Sequence, residues 1–302
     1  MGLLRPPGET ITRADRVRIV TAPGRYDDRH FERLDPKTRK GFLARVPEPG
    51  QTAEEFAKEE AGRHPRHRRA IRFVPCSCGE PAPARALLGA LTRYVDLAFP
   101  GASGEIGPTR PIPEDVLDQF EERADAERLL DELLPLVSVD VLALIGLAGA
   151  GLFSGPRDSV GTQASFRRRV SVISLPFQAE GATPELFLRR MLGAVAHDVG
   201  HVLGMAHCVF YRCAMNGAAS ADELDGRPLL FCPVCEEKIG VALGPPPDAS
   251  EPDPKATAGG PAAGDPDPAS KEKRLRAFFR ENGLVLEAEV LEKRLRDGRR
   301  PR

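Results

Sequence analysis

Residues 183–208 read TPELFLRRMLGAVAHDVGHVLGMAHC. Thr183 is a good N-cap, Pro184 suits the first helical position, and Glu185 favours the positive end of the helix dipole. The pattern predicts a long helix running to Leu203, with Gly204 placed as its left-handed terminator. His197 and His201 are four residues apart, so they lie one above the other on the same helix face. The turn at Gly204 then brings His207 back toward the same point. Three of the six histidines fall within these eleven residues.

Three neutral imidazole nitrogens at about 2.0–2.1 Å make a zinc site with a fourth position open for water. Zinc in such a site lowers the pKa of its water to about 7. The spacing is that of the metzincin motif, H-E-x-x-H-x-x-G-x-x-H followed by a methionine turn. Met215, in Cys213-Ala214-Met215-Asn216, is the expected apolar floor beneath the imidazoles. Cys208 directly follows the third histidine, Cys213 lies five further on, and Cys232-Pro-Val-Cys235 closes the set. Four thiolates in two groups suit a closed, structural tetrahedral zinc. The alternatives, unrelated buried thiols or a redox pair, leave the second pair without a purpose.

Outward from this segment, residues 70–75 read as a buried strand and 83–98 as a helix. Residues 113–135 hold one or two more helices. Val139–Ile145 is a second apolar strand entering a glycine-rich loop, and Arg167–Ser174 is a third, possible edge, strand. Strands alternating with helices indicate a layered α/β or α+β core. Thr52-Ala-Glu-Glu55 starts a short helix through a capping box, ending near Gly62. The basic run 63–69 reads as a solvated connector, with His30, His64 and His67 on the surface. Residues 245–270 hold eight prolines and three glycines with a charge of −4, the composition of a disordered linker. Residues 271–302 carry +5, and Leu284, Ala288, Leu291 and Leu295 repeat at helical spacing. That tail is expected to dock on its own domain or on a twin chain.

The 302 residues carry 43 basic and 44 acidic side chains, so bulk charge gives no attraction to nucleic acid or anionic membrane. Nucleic-acid binding is not expected of the tail either, because acids lie among its basic residues. The longest apolar run, Val141–Phe153, is too short to span a bilayer. No signal peptide is visible, and a reducing, cytoplasmic location is expected. Clustered cysteines there point to metal or catalysis rather than disulfides. Cys76 and Cys78 read as two free thiols in a loop. Tyr211 could donate to an oxyanion, with a packing role as good an account. Gly193 and Gly200 weaken the helix by propensity, and close packing on the sheet would explain them.

The motif set resembles the archaemetzincin family of zinc metallopeptidases. The resemblance rests on His207-Cys208, four residues, Cys213, Ala214, Met215, sixteen residues and Cys232-Pro-Val-Cys235. Asn216, Ser220, Glu223 and Asp225 also match the segment between, and the likeness runs from about Ile71 to Gly240. It implies an α+β, α/β-type layered core with a twisted, mostly parallel sheet. It also implies an antiparallel edge strand lining a substrate cleft, for which Arg167–Ser174 is the candidate. Two zincs are implied, a catalytic one on His197, His201 and His207 and a structural one on Cys208, Cys213, Cys232 and Cys235. The expected organisation is an N-terminal extension (1–69), a metallopeptidase domain (70–243), a linker (244–270) and a helical basic tail (271–302).

One residue departs from the family pattern. The general-base glutamate of the motif is Asp198 here. The same carboxyl sits one carbon shorter, so its oxygens fall short by about 1.5 Å. Two functions follow: hydrolysis of peptide or protein substrates with Asp198 as a shortened general base, or a zinc-bound pseudopeptidase that binds peptide or a partner without turnover. A zinc-ribbon binding module would use the four cysteines alone and leave the histidines unexplained.

Overall fold

The computed structural model describes residues 28–35, 40–60, 64–65, 67–79, 83–118, 123–155, 158–244 and 268–297. Two short helices come first, α1 (Phe42–Arg45) and α2 (Ala53–Glu60). The capping box of α2 is reciprocal. Thr52 N–H donates to Glu55 Oε2 at 2.8 Å, and Glu55 N–H donates to Thr52 Oγ1 at 3.1 Å. Next come β1 (Ala70–Ser77), α3 (Arg85–Ala98), β2 (Ser103–Ile106), β3 (Arg110–Pro111), β4 (Leu117–Asp118), β5 (Arg123–Asp125), α4 (Ala126–Leu133) and β6 (Val141–Ala148). β7 (Gly151–Ser154), β8 (Asp158–Val160), β9 (Thr162–Ser165), β10 (Val170–Ser174) and α5 (Leu175–Ala179) lead into α6 (Pro184–Val202). The described chain ends with α7 (Ala221–Gly226), α8 (Pro233–Leu243), α9 (Pro268–Glu281) and α10 (Val285–Asp297).

The main sheet runs β2-β1-β6-β10-β9, with β3 also paired to β1. All its pairings are parallel except β10 with β9. Both faces are covered, which is why β6 is apolar along its whole length. Leu142, Ile145 and Leu147 of β6 join Ile71, Phe73 and Ile173 on the face packed by α3 and α6. Val141, Leu144 and Ala148 join Val74, Val170 and Val172 on the opposite face, against α4. A second sheet, β4-β5-β7-β8, takes two strands from before α4 and two from the excursion between β6 and β9.

The edge strand is not the one expected from the sequence. Residues 170–174 form an inner strand, buried throughout and paired on both sides. The antiparallel edge is β9, a half-buried TQAS segment whose composition carries no strand signal. Alternation in VSVIS suggested one solvated face, but Ser171 is fully buried. Among the described residues of 113–135 there is one α-helix, α4, preceded by a 3₁₀ turn, β4 and β5 and followed by a second 3₁₀ turn. His64 is buried rather than on the surface. Cys76 lies within β1 rather than in a loop, and burial pushes its thiol up to about 12, while Cys78 is exposed.

Residues 245–267 of the expected linker lie outside the described residues. The tail helix begins at Pro268, inside the stretch read as linker. It docks on its own domain. Phe278 and Phe279 are fully buried, with ring centroids 6.0 and 6.4 Å from Tyr94 of α3. Arg189 of α6 pairs with Glu287 of α10 at 2.6 Å, and Lys271 pairs with Glu236 of α8 at 3.1 Å. No helix among the described residues is long and apolar enough to cross a membrane. Phe278→Ala should cost the docked hairpin about 3–5 kcal/mol. Amide exchange should then show residues 268–297 losing protection before the main sheet opens.

Candidate metal centre

Helix α6 forms and stops as its sequence requires. Thr183 Oγ1 accepts from Leu186 N–H at 3.3 Å. At the other end Gly204 has φ +94°. Gly204 N–H donates to His201 O at 2.9 Å and Met205 N–H donates to Gly200 O at 3.0 Å, the paired bonds of a Schellman cap. Halfway along, the Arg190 guanidinium is held by Asp225 at 2.7 and 2.9 Å and by the carbonyls of Gln178 and Glu180. The glycines of α6 do not face the sheet as expected. A Cβ on Gly200 would lie 2.2 Å from Met215 Sδ, and one on Gly193 would lie 3.3 Å from Leu229 Cδ2. They are small so that the methionine turn and the segment after it can press against the helix.

That turn is braced by a single side chain. Asn216 Nδ2 donates to Cys208 O and Tyr211 O, both at 2.8 Å, and Asn216 Oδ1 accepts from Cys213 N–H at 2.7 Å. Cys208 N–H donates to Met215 O at 2.8 Å, closing the loop. Tyr211 is fully buried and its hydroxyl donates to Asp28 Oδ2 at 3.0 Å, a packing role.

His197, His201 and His207 come together, with one nitrogen of each within 4.8 Å of the others. Every Nδ1 faces an acceptor. His197 Nδ1 donates to Ala214 O at 3.0 Å, His201 Nδ1 to Met205 O at 2.8 Å, and His207 Nδ1 to the Glu48 carboxylate at 2.9 and 3.1 Å. These acceptors require a proton on each Nδ1, so in a neutral ring Nε2 is the nitrogen left as a lone pair. Burial holds His197 well below the ordinary histidine range and pushes His201 down to about 3, so both rings are neutral. His197 Nε2 and His201 Nε2 nevertheless lie 3.0 Å apart. Two lone pairs with no proton to share repel at that distance, and a cation between them removes the conflict. The donor set therefore fits a divalent metal of the imidazole-binding kind, zinc foremost.

The four cysteines form a second cluster, all buried and all free thiols. Cys208 Sγ and Cys232 Sγ lie 3.7 Å apart. Two corners of a tetrahedron with zinc–sulfur bonds of about 2.3 Å are about 3.8 Å apart, so the spacing fits. Cys232 N–H also points at Cys213 Sγ, 3.2 Å away. Hydrogen bonds from the other three thiols, Cys213 first, pull Cys208 well below the ordinary thiol range. Four buried sulfurs could not all ionise without a cation among them.

Asp198 is fully buried and points toward the edge strand. Thr162 Oγ1 of β9 donates to Asp198 Oδ1 at 2.9 Å. Oδ2 has no hydrogen-bond partner among the described residues. Burial pushes this carboxyl up to about 7, against the opposing pull of Thr162, Arg227 and the neighbouring Ser171 hydroxyl, which itself stays outside hydrogen-bond geometry. Arg227 is buried too, and burial lowers its guanidinium to about 10. Phe166 lies 4.7 Å from the His201 ring and Phe42 lies 5.1 Å from the His207 ring, centroid to centroid.

Sequence reasoning passed over Glu48, Thr162, Arg227 and the two phenylalanines. Glu48 sits between Pro47 and Pro49, 159 positions before the ring it touches, and no local pattern connects the two. Thr162 could have been found only by knowing which segment forms the edge strand. Arg227 had a faint signal, as a lone arginine amid otherwise apolar neighbours between Gly226 and Cys232.

Residues 116–240 match the model of Peptidase family M54. Over 103 residues the chain is 32% identical to an archaemetzincin of Thermococcus kodakarensis, covering 32% of this chain and 55% of that one. Over 59 residues it is 37% identical to archaemetzincin-2 of Homo sapiens, covering 20% of this chain and 16% of that one. The match thus spans about half the length of the first relative and far less of the second. A crystal structure of archaemetzincin from Methanopyrus kandleri shares the fold at a TM-score of 0.50 and 23% identity, over 60% of this chain and 97% of that one. With its three histidines and four cysteines gathered as the motif requires, the chain is similar to archaemetzincins, and its segment 116–240 matches Peptidase family M54.

Proposed function

We propose that this chain is a zinc metallopeptidase that cleaves peptide bonds in peptide or protein substrates. The observation that carries the reading is the convergence of three imidazoles, each with Nδ1 facing an acceptor, beside a buried carboxyl group. His197, His201 and His207 would hold the catalytic zinc, and Cys208, Cys213, Cys232 and Cys235 a structural one. When bound by three imidazoles with a position left open, zinc activates water and polarises a carbonyl.

The remaining work falls to residues of this chain. Asp198 is the proposed general base. Thr162 fixes Oδ1, which leaves Oδ2 as the oxygen able to take a proton and later return it to the leaving amine. β9 supplies a template for substrate. It is the last strand of the sheet and pairs only with β10 among the described residues, so its outer edge can accept an extended peptide. Thr162 and Phe166 place that edge alongside Asp198 and His201. Arg227 supplies a buried positive charge that offsets the nearby Asp198 carboxylate and Cys213 sulfur.

The Thr162 bond also favours a second reading. A shortened carboxylate drawn to the strand can leave a metal-loaded but inert site that binds peptide without cutting it. Metal content and turnover separate the two. Purified protein should hold about two zincs per chain, and His201→Ala should hold about one, measured by mass spectrometry. If the protein is a peptidase, Asp198→Asn should lower turnover of a peptide library by about 10²–10⁴-fold without loss of zinc. If it is not, wild type should match the zinc-free control, and Asp198→Glu should create turnover. A single zinc unaffected by His201→Ala would mean that the histidines hold no metal, and the peptidase reading would be abandoned.

A further inference from the structure

His207 differs from the other two histidines in what holds it. His197 and His201 donate to backbone carbonyls of their own neighbourhood, Ala214 and Met205. His207 donates to both oxygens of a carboxylate that comes from outside the matched family segment. We infer that Glu48 is a positioning residue for the third histidine, and that its negative charge strengthens the hold of that ring on the metal. The inference rests on the histidine trio being a zinc site.

The geometry supports a built device rather than a chance contact. The Glu48 and His207 side chains are only 13% and 7% exposed. Pro47 and Pro49 restrict the backbone on both sides of Glu48. The strap carrying it is fastened at either end to the loop it serves. On one side, Phe42 meets the His207 ring edge-on. On the other, Gln51 Oε1 accepts from Ala206 N–H at 3.2 Å and from the buried Lys238 Nζ at 3.1 Å. A carboxylate accepting from Nδ1–H fixes the tautomer and pushes electron density toward Nε2, which makes the ring a better ligand than a neutral acceptor would. The bond is charge-assisted only on this histidine. The strap thus sets the affinity of the site through Glu48, which lies 149 positions before its first ligand, His197.

The test is chelator competition on full-length, zinc-loaded protein. Wild type, Glu48→Gln, Glu48→Ala and His201→Ala are titrated with EDTA, and zinc remaining per chain is counted. The zinc that His201→Ala lacks identifies the histidine site. Glu48→Ala should release that zinc at about 10–100-fold lower chelator activity, with the cysteine-site zinc unmoved. Glu48→Gln keeps the shape and an acceptor oxygen but not the charge, and should also weaken the site, by less. Wild-type release from both variants would overturn the inference. So would wild-type release from Glu48→Gln alone, because shape would then suffice. Equal loss of both zincs from Glu48→Ala would also overturn it, showing that the strap merely holds the loop folded. A wild-type protein with only its cysteine zinc would instead remove the reading on which the inference rests.

Discussion

Two imidazole nitrogens with no proton between them, held 3.0 Å apart in a buried site, set a condition that the surrounding structure has to meet. Both rings are kept neutral by burial, and both spend their only N–H on a carbonyl. The lone pairs are thereby forced to face one another, which is unfavourable until a cation lies between them. Folding this segment without metal therefore leaves repulsion in place, and binding metal relieves it. The cysteine cluster obeys the same logic with sulfur, since its four buried thiols cannot lose their protons together without a positive centre.

Much of the local architecture follows from bringing the third ring to that point. The Schellman cap reverses the chain at Gly204, and Asn216 gathers three backbone groups to hold the returning loop. Gly200 lets Met215 lie directly against the helix. The layered sheet contributes rigidity beneath α6 and delivers Thr162 to Asp198. That last contact ties the edge of the sheet, where a peptide strand could add, to the carboxylate beside the first ligand. A shift of β9 would thus move the general-base candidate with it.

The parts legible in the sequence are those in which local spacing does the work. The i, i+4 histidines, the glycine stop, the capping box at Thr52, the N-cap at Thr183, and the buried strands of β1 and β6 each state their geometry within a few residues. Legibility fails where partners are distant or unremarkable. TQAS has no propensity to announce itself as the edge of the sheet, and VSVIS alternates although both its faces are covered. Phe278 reveals its burial only when α9 is placed against Tyr94. Glu48 looks like any acidic residue in a proline-rich connector until His207 is set beside it.

Adjacency of His207 and Cys208 gives the two clusters a mechanical relation that neither has alone. Cys208 is fixed by its sulfur partners and by its N–H bond to Met215 O, so the backbone direction at position 207 is already determined on its C-terminal side. Only rotation of the side chain remains free, and that is the freedom removed by Glu48 on Nδ1 and by the Phe42 ring edge. The cysteines thus set where the third imidazole stands, and the N-terminal strap sets how it turns. One constraint is local in sequence and belongs to the family motif. The other arrives from residues 42–48, outside the matched segment. A site assembled this way can keep its ligand identities unchanged while its affinity is adjusted through the strap, because Glu48 touches only the far side of the ring.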